Sequence, residues 1–175
     1  MQLELRPGDF FASKNPHGLG KLIIFAQKMK SQDMKAEYSH VGFITDKQAD
    51  TLECVGRIKQ QNLFKEYAGE KVIIARWKYM DEAAYKRGYE AIKDQIGKKY
   101  PWWRLALHLV GLARFIYAFR IPVCSEFEDA FEWGCGIQTL SQGHSWGVTP
   151  DFKVDEWRRA KDIDIIFEGI LPSHM

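Results

Sequence analysis

The chain has 175 residues, 46% of them hydrophobic, enough apolar surface for one self-folding core; no linker or compositional break divides it, so a single domain over 1–175 is expected. Its 25 lysines and arginines face 23 acids, and a net charge of +2 without any basic block gives no reason to expect a nucleic-acid partner. Three cysteines, at 54, 124 and 135, make no C-x-x-C and cannot all pair, which argues against a disulfide framework.

At the amino end, "MQLELRPGDFFAS" lacks the charged and then apolar regions of a secretory signal, so a cytoplasmic chain is expected, acting outside only through lysis or non-classical delivery. "RPGDFFAS" combines a Pro-Gly-Asp turn with a short apolar strand. "NPHGLGKLIIFAQKMKS" predicts a turn and a helix with Leu22, Phe25, Ala26 and Met29 facing the core. Its "HGLGKL" falls short of a phosphate loop, because Asn15 and Leu22 stand where a glycine and a hydroxyl are needed.

"YSHVGFIT" and "TLECVG" read as a hairpin around the polar "DKQAD", and "KVIIARW" extends the sheet. From Asp81 the period changes to helical, with Ala84, Tyr85, Gly88, Ala91, Ile92 and Ile96 on one face and Gly97 as the stop. Segments 102–119 and 124–133 also read as helices. The most apolar stretch, Leu105 to Phe119, is interrupted by His108 and Arg114 and falls short of the roughly 20 residues that span a bilayer. "GCGIQTLSQGHSWGV" is a glycine-punctuated loop; Thr149, Pro150 and Asp151 form an N-cap, N1 and first-turn acid; "IDIIFEG" returns a last strand. Strands early and helices late, with hairpin connections, make an α+β pattern.

The chemistry narrows by residue type. No short-spaced pair of metal ligands exists among the cysteines and His17, His40, His108, His144 and His174, and there is no H-E-x-x-H, so neither a metal nor another cofactor is expected. Nucleophilic catalysis remains. A cysteine attacks as its thiolate, which a helix N-terminus and a nearby imidazole both favour. Cys124 follows Pro122 and starts a helix whose Phe127 and Phe131 share its face; taken alone, such a cysteine is more often inert packing. Glu126, Glu128 and Asp129 oppose a thiolate by their charge.

His40, on a strand, is the base that could pair with it, and Glu53 on the next strand could orient the ring. Direct opposition of residues 40 and 53 would require a turn centred on Asp46-Lys47; a slip of one residue would turn Glu53 to the other sheet face. His144, in the glycine-rich loop, is a rival base with nothing to fix its ring.

Taken in order, "RPGDFF", "SHVGFITD", "TLECVG", "GKKYPWW", "VCSEFEDAF" and "TPDF" resemble the circularly permuted papain-like amidases of the NlpC-type superfamily. That group contains the YiiX-like and YaeF-like proteins and, more distantly, the lecithin:retinol acyltransferases. The resemblance runs from about Arg6 to Asp151. It implies a small antiparallel sheet packed against helices, with the histidine strand first and the cysteine helix last. It also implies Cys124 as nucleophile at a helix N-terminus, His40 as base and Glu53 as the orienting acid.

The expected activity is cysteine-dependent hydrolysis of an amide in a small peptide, a cell-wall peptide or a fatty-acyl amide. Acyl transfer to a lipid, or a silent lipid- or peptidoglycan-binding module, are the alternatives. Tyr38, Ser39, Ser125, Trp102 and Trp103 are the candidates for oxyanion and substrate contacts. The aromatic, basic stretch 102–120 reads either as a core helix or as a wall for a hydrophobic acyl group and a peripheral lipid contact, with Arg104, Arg114 and Arg120 meeting an anion.

Overall fold

In the computed structural model, which describes residues 3–14, 37–99, 124–138 and 149–173, six strands form one antiparallel sheet packed against helices. The strands are β1 (Phe10–Ser13), β2 (His40–Ile44), β3 (Asp50–Val55), β4 (Arg57–Asn62), β5 (Lys71–Trp77) and β6 (Ile163–Ile170). They lie in the order β4-β3-β2-β1-β5-β6. The described helices are α1 (Leu63–Tyr67), α2 (Glu82–Ile92), α3 (Cys124–Cys135) and α4 (Pro150–Arg159). The helices expected over 22–29 and 102–119 lie outside the described residues.

Alternation along the strands sorts the apolar side chains to two faces. Phe10, Ala12, Val41, Phe43, Leu52, Cys54, Ile73 and Ala75 face α2, α3 and α4. Phe11, Ile44, Val72 and Ile74 face the other way, against Leu63 and Tyr67 of α1. The first face is an aromatic core: Phe43 stacks on Phe131 with centroids 3.8 Å apart, and Phe10 stacks on Trp157 at 5.9 Å. A large part of the chain's aromatic content is therefore packing material, and truncating Phe127 or Phe131 to alanine would cost about 3–5 kcal/mol.

Local chemistry sets the helix starts. The Asp81 side chain accepts from Ala84 N–H at 2.6 Å to open α2. Thr149 does the same for Phe152 at 3.2 Å in front of Pro150, as the sequence predicts. Helix α2 stops at Ile92 and tightens into a 3₁₀ turn over Lys93–Gln95 before Gly97, whose φ is +84°. That change of pitch takes Ile96 out of phase, so it is exposed rather than core-facing.

Two elements were not foreseen. Strand β4 and the five-residue α1 continue directly from the β2–β3 hairpin, in a stretch too polar to show a strand period. The free edge of β4 is partly covered, because Gly97 N–H donates to the Ile58 carbonyl and Ile58 N–H to the Lys98 carbonyl.

Helix α3 is held firmly, which matters for the residue at its start. It runs two residues beyond the expected 133, because Cys135 packs into the α2 crossing. A Cβ on Gly134 would sit 2.7 Å from that of Ala91, and one on Gly88 would collide with the Cys135 sulfur, so only glycine permits this approach. Arg87 Nη2 donates to the Cys135 carbonyl at 3.1 Å and closes the helix end.

Candidate active site

Cys124 is the first described residue of α3, only 6% exposed, and Phe127 and Phe131 on its face are fully buried. Its neighbour His40 is the first residue of β2, and the Cys124 side chain lies close enough to the His40 imidazole to raise the ring's affinity for a proton. The other side of the ring meets Glu53: His40 Nε2 lies 2.6 Å from Glu53 Oε2. With Nε2 occupied by the carboxylate, Nδ1 is the ring nitrogen left for the sulfur. The structure thus brings together the three residues that the sequence singled out.

The strand register differs from the one first expected. Glu53 lies opposite Gly42, not opposite His40, and the turn centres between Lys47 and Gln48. Asp46 Oδ1 accepts from the N–H groups of Gln48 and Asp50, both at 2.9 Å, and Ala49 takes a left-handed φ of +66°. The shift is two residues, and two residues preserve the sheet face, so Glu53 reaches His40 diagonally instead of straight across. Gly42 leaves that diagonal open. A Cβ there would lie 2.9 Å from the Glu53 Cβ and 2.8 Å from the Phe11 ring.

Glu53 is wholly buried yet remains a carboxylate. Burial pushes its pKa up, but hydrogen bonds from His40, Tyr67 and Thr51 outweigh this and hold it below the usual range. Thr51 Oγ1 donates to Glu53 Oε1 at 2.7 Å, and the Tyr67 hydroxyl donates to Glu53 Oε2. His40 shows the complementary balance. Burial alone would lower its pKa, but the interactions with Cys124 and Glu53 push it up to about 10. At neutral pH the ring therefore carries its proton.

Thr51 and Tyr67 were missed in the sequence reading. Thr51 was legible in principle, since it stands two residues before Glu53 and must share its face. Tyr67 was not, because it belongs to α1, a separate element that packs on the sheet face carrying His40 and Glu53. Its ring lies nearly parallel to that of His40, with centroids 6.2 Å apart, and Phe11 stands 6.2 Å from the same imidazole.

The acids following Cys124 are dealt with locally. Glu128 is fully buried, with no hydrogen-bond partner at either oxygen; burial first, and the Glu132 charge second, drive its pKa well above the carboxylate range. Its surroundings thereby favour the neutral acid. Glu132 accepts from Lys153 Nζ and, at 3.1 Å, from Trp157 Nε1, so its charge is balanced within the α3–α4 contact.

Of the proposed substrate contacts, Tyr38 donates its hydroxyl to Glu168 on β6 at 3.1 Å, while Ser39 and Ser125 are buried beside His40 and Cys124 in the chain. Asp151 in the first turn of α4 accepts from the N–H groups of Glu37, at 2.8 Å, and Tyr38, at 3.2 Å, pinning the chain just before His40. Trp102, Trp103, the rest of 102–120 and His144 lie outside the described residues. Cys54 and Cys135 are buried and form no disulfide, and burial pushes both thiols up, Cys135 to about 12.

No family model matches the chain, and no curated protein does. Among solved structures its fold is similar to that of a protein from Escherichia coli O157:H7 described as metalloprotein yiiX, DUF1105. The two are 16% identical, with a TM-score of 0.62, over 97% of this chain and 99% of that one. The likeness is one of fold across nearly the whole of both chains.

Proposed function

We propose that the chain is a cysteine-dependent hydrolase of a permuted papain-like fold, acting on an amide through Cys124, His40 and Glu53. The observation that carries this reading is the buried convergence of thiol, imidazole and carboxylate: His40 Nε2 lies 2.6 Å from Glu53 Oε2, and Cys124 acts on the same ring from α3. A structural histidine needs neither a cysteine beside its ring nor an ionised acid on Nε2.

The proposed steps use these residues in turn. The Cys124 thiolate, paired with the His40 imidazolium, attacks the amide carbonyl and forms a C–S bond. The Cys124 backbone N–H is the donor nearest the attacked carbonyl and would receive the developing oxyanion. His40 gives its proton to the leaving nitrogen as the C–N bond breaks, and amine departs. The neutral imidazole then takes a proton from water, which attacks the thioester; carboxylic acid leaves and the thiolate–imidazolium pair returns. Glu53 holds the ring in one orientation and stabilises its charged form throughout. An acceptor other than water in the last step would give acyl transfer by the same residues.

The yiiX structure is described as that of a metalloprotein. Among the described residues no group of three or more His, Cys, Asp or Glu side chains is arranged to hold a metal ion, and the steps above route nothing through one. No described helix is long and apolar enough to cross a membrane.

Iodoacetamide labelling of the three thiols across pH tests the reading. Cys124 should react well below about pH 8, with Cys54 and Cys135 slow, and His40→Ala should move the Cys124 profile upward. Uniform slow labelling of all three would overturn it. Incubation with activated acyl amides should add an acyl mass to the wild-type chain and none to Cys124→Ala.

A further inference from the structure

Glu53 has more donors than the pairing with His40 needs. Oε2 accepts from both His40 Nε2 and the Tyr67 hydroxyl, and Oε1 accepts from Thr51. The two hydroxyls constrain the carboxylate differently. Thr51 belongs to the same strand, two residues away on the same face, so it moves with Glu53 and fixes the side chain only relative to β3. Tyr67 belongs to α1, whose start is capped separately by Asn62 accepting from Lys65 N–H. It therefore ties the carboxylate to an element outside the β2–β3 ladder.

The Tyr67 ring adds a second constraint. It lies nearly parallel to the imidazole, at an interplanar angle of 18°, and packs against Phe11 with centroids 5.5 Å apart. Tyr67 is 5% exposed, and its burial, together with the Glu53 charge, keeps the phenol protonated. It can act toward Glu53 only as a donor.

We propose that Tyr67 is a positioning residue: its hydroxyl holds the Glu53 carboxylate against His40 Nε2, and so determines how firmly the imidazole keeps its proton beside Cys124. This goes beyond the hydrolase reading and rests on it for its catalytic meaning, although its physical content concerns Tyr67, Glu53 and His40 alone. With the hydroxyl removed, Oε2 loses the contact that fixes it from the α1 side, and the carboxylate is free to turn toward Thr51. His40 then loses part of what offsets its burial, and its protonation midpoint falls.

Tyr67→Phe keeps the ring and removes only the donor. The readout is the titration of the His40 ring followed by NMR, with Glu53→Gln as the reference, and the Cys124 alkylation profile followed in parallel. The expected result is a His40 midpoint lower by about one pH unit or more in Tyr67→Phe and lower also in Glu53→Gln, with the alkaline limb of the alkylation profile following. A Tyr67→Phe titration that superimposes on the wild type, or moves upward, while Glu53→Gln shifts it down, would overturn the proposal.

A measurement on the unaltered protein guards against a variant that fails to fold. A phenolic proton donated to a buried carboxylate exchanges slowly and resonates far downfield, assignable to Tyr67 by ring-carbon labelling. Its presence supports the contact, and its absence in the wild type overturns the proposal. Uniform slow alkylation of wild-type Cys124 would instead sink the hydrolase reading, while the His40 titration would still decide the role of Tyr67.

Discussion

The Glu53 carboxylate and the His40 imidazole, 2.6 Å apart, belong to residues that are not cross-strand partners: Glu53 pairs with Gly42, and the contact runs along the diagonal that the missing Gly42 side chain leaves open. Glycine in a strand interior ordinarily weakens it, so its presence between two buried ionisable groups has a steric reason.

Replacing Gly42 with alanine should therefore damage the site as well as the fold. The new methyl would press on the Glu53 Cβ and on Phe11 at under 3 Å, and the crowding should cost about 1–3 kcal/mol. Thermal melting should show a lower midpoint, and the His40 titration should shift down as Glu53 is displaced. A Gly42→Ala protein with wild-type melting and wild-type titration would contradict the steric account.

The pH dependence of stability carries a second prediction. His40 has its pKa raised in the folded state from 6.5 to about 10, so the folded protein binds the extra proton in that window and the unfolded chain does not. The stabilisation is complete below 6.5 and is lost as pH rises toward 10, with a slope of up to about 1.4 kcal/mol per pH unit. Denaturant midpoints measured between neutral and alkaline pH should fall accordingly, and Glu53→Gln should flatten that fall. Midpoints independent of pH over the window would count against a protonated, paired His40.

A third prediction concerns the α3–α4 contact. Lys153 is fully buried against Glu132, Glu156 at 3.3 Å and Asp129 at 3.4 Å. Lys153→Met would leave the buried Glu132 charge without its ammonium partner, at a cost of about 3–5 kcal/mol. Glu128→Gln should behave oppositely. The folded state holds a proton on Glu128 that the unfolded chain releases above pH 4.5, so native Glu128 loses stability as pH rises through this range. The neutral amide escapes that loss, and the variant's advantage over wild type in denaturant titrations should widen from acidic to neutral pH. A Glu128→Gln protein whose stability tracks wild type at every pH would show that Glu128 is ionised in the fold.

The local signals in the sequence were sufficient for much of this protein. Apolar alternation marked β1, β2, β3 and β5, the Thr149–Pro150–Asp151 cap marked α4, and "IDIIFEG" marked β6, because each depends on residues adjacent in the chain. The residue types and their order also drew attention to Cys124, His40 and Glu53. Tertiary structure alone decided how they meet. The two-residue offset between Glu53 and His40 follows from the turn held by Asp46 and the left-handed Ala49, which hydrophobic pattern does not encode. Tyr67 joins the site from α1, an element formed in a polar stretch and stabilised by what it packs against. The protonated state of Glu128 arises only when α3 and α4 exclude water together, since desolvation belongs to the assembled core and not to any segment of the chain.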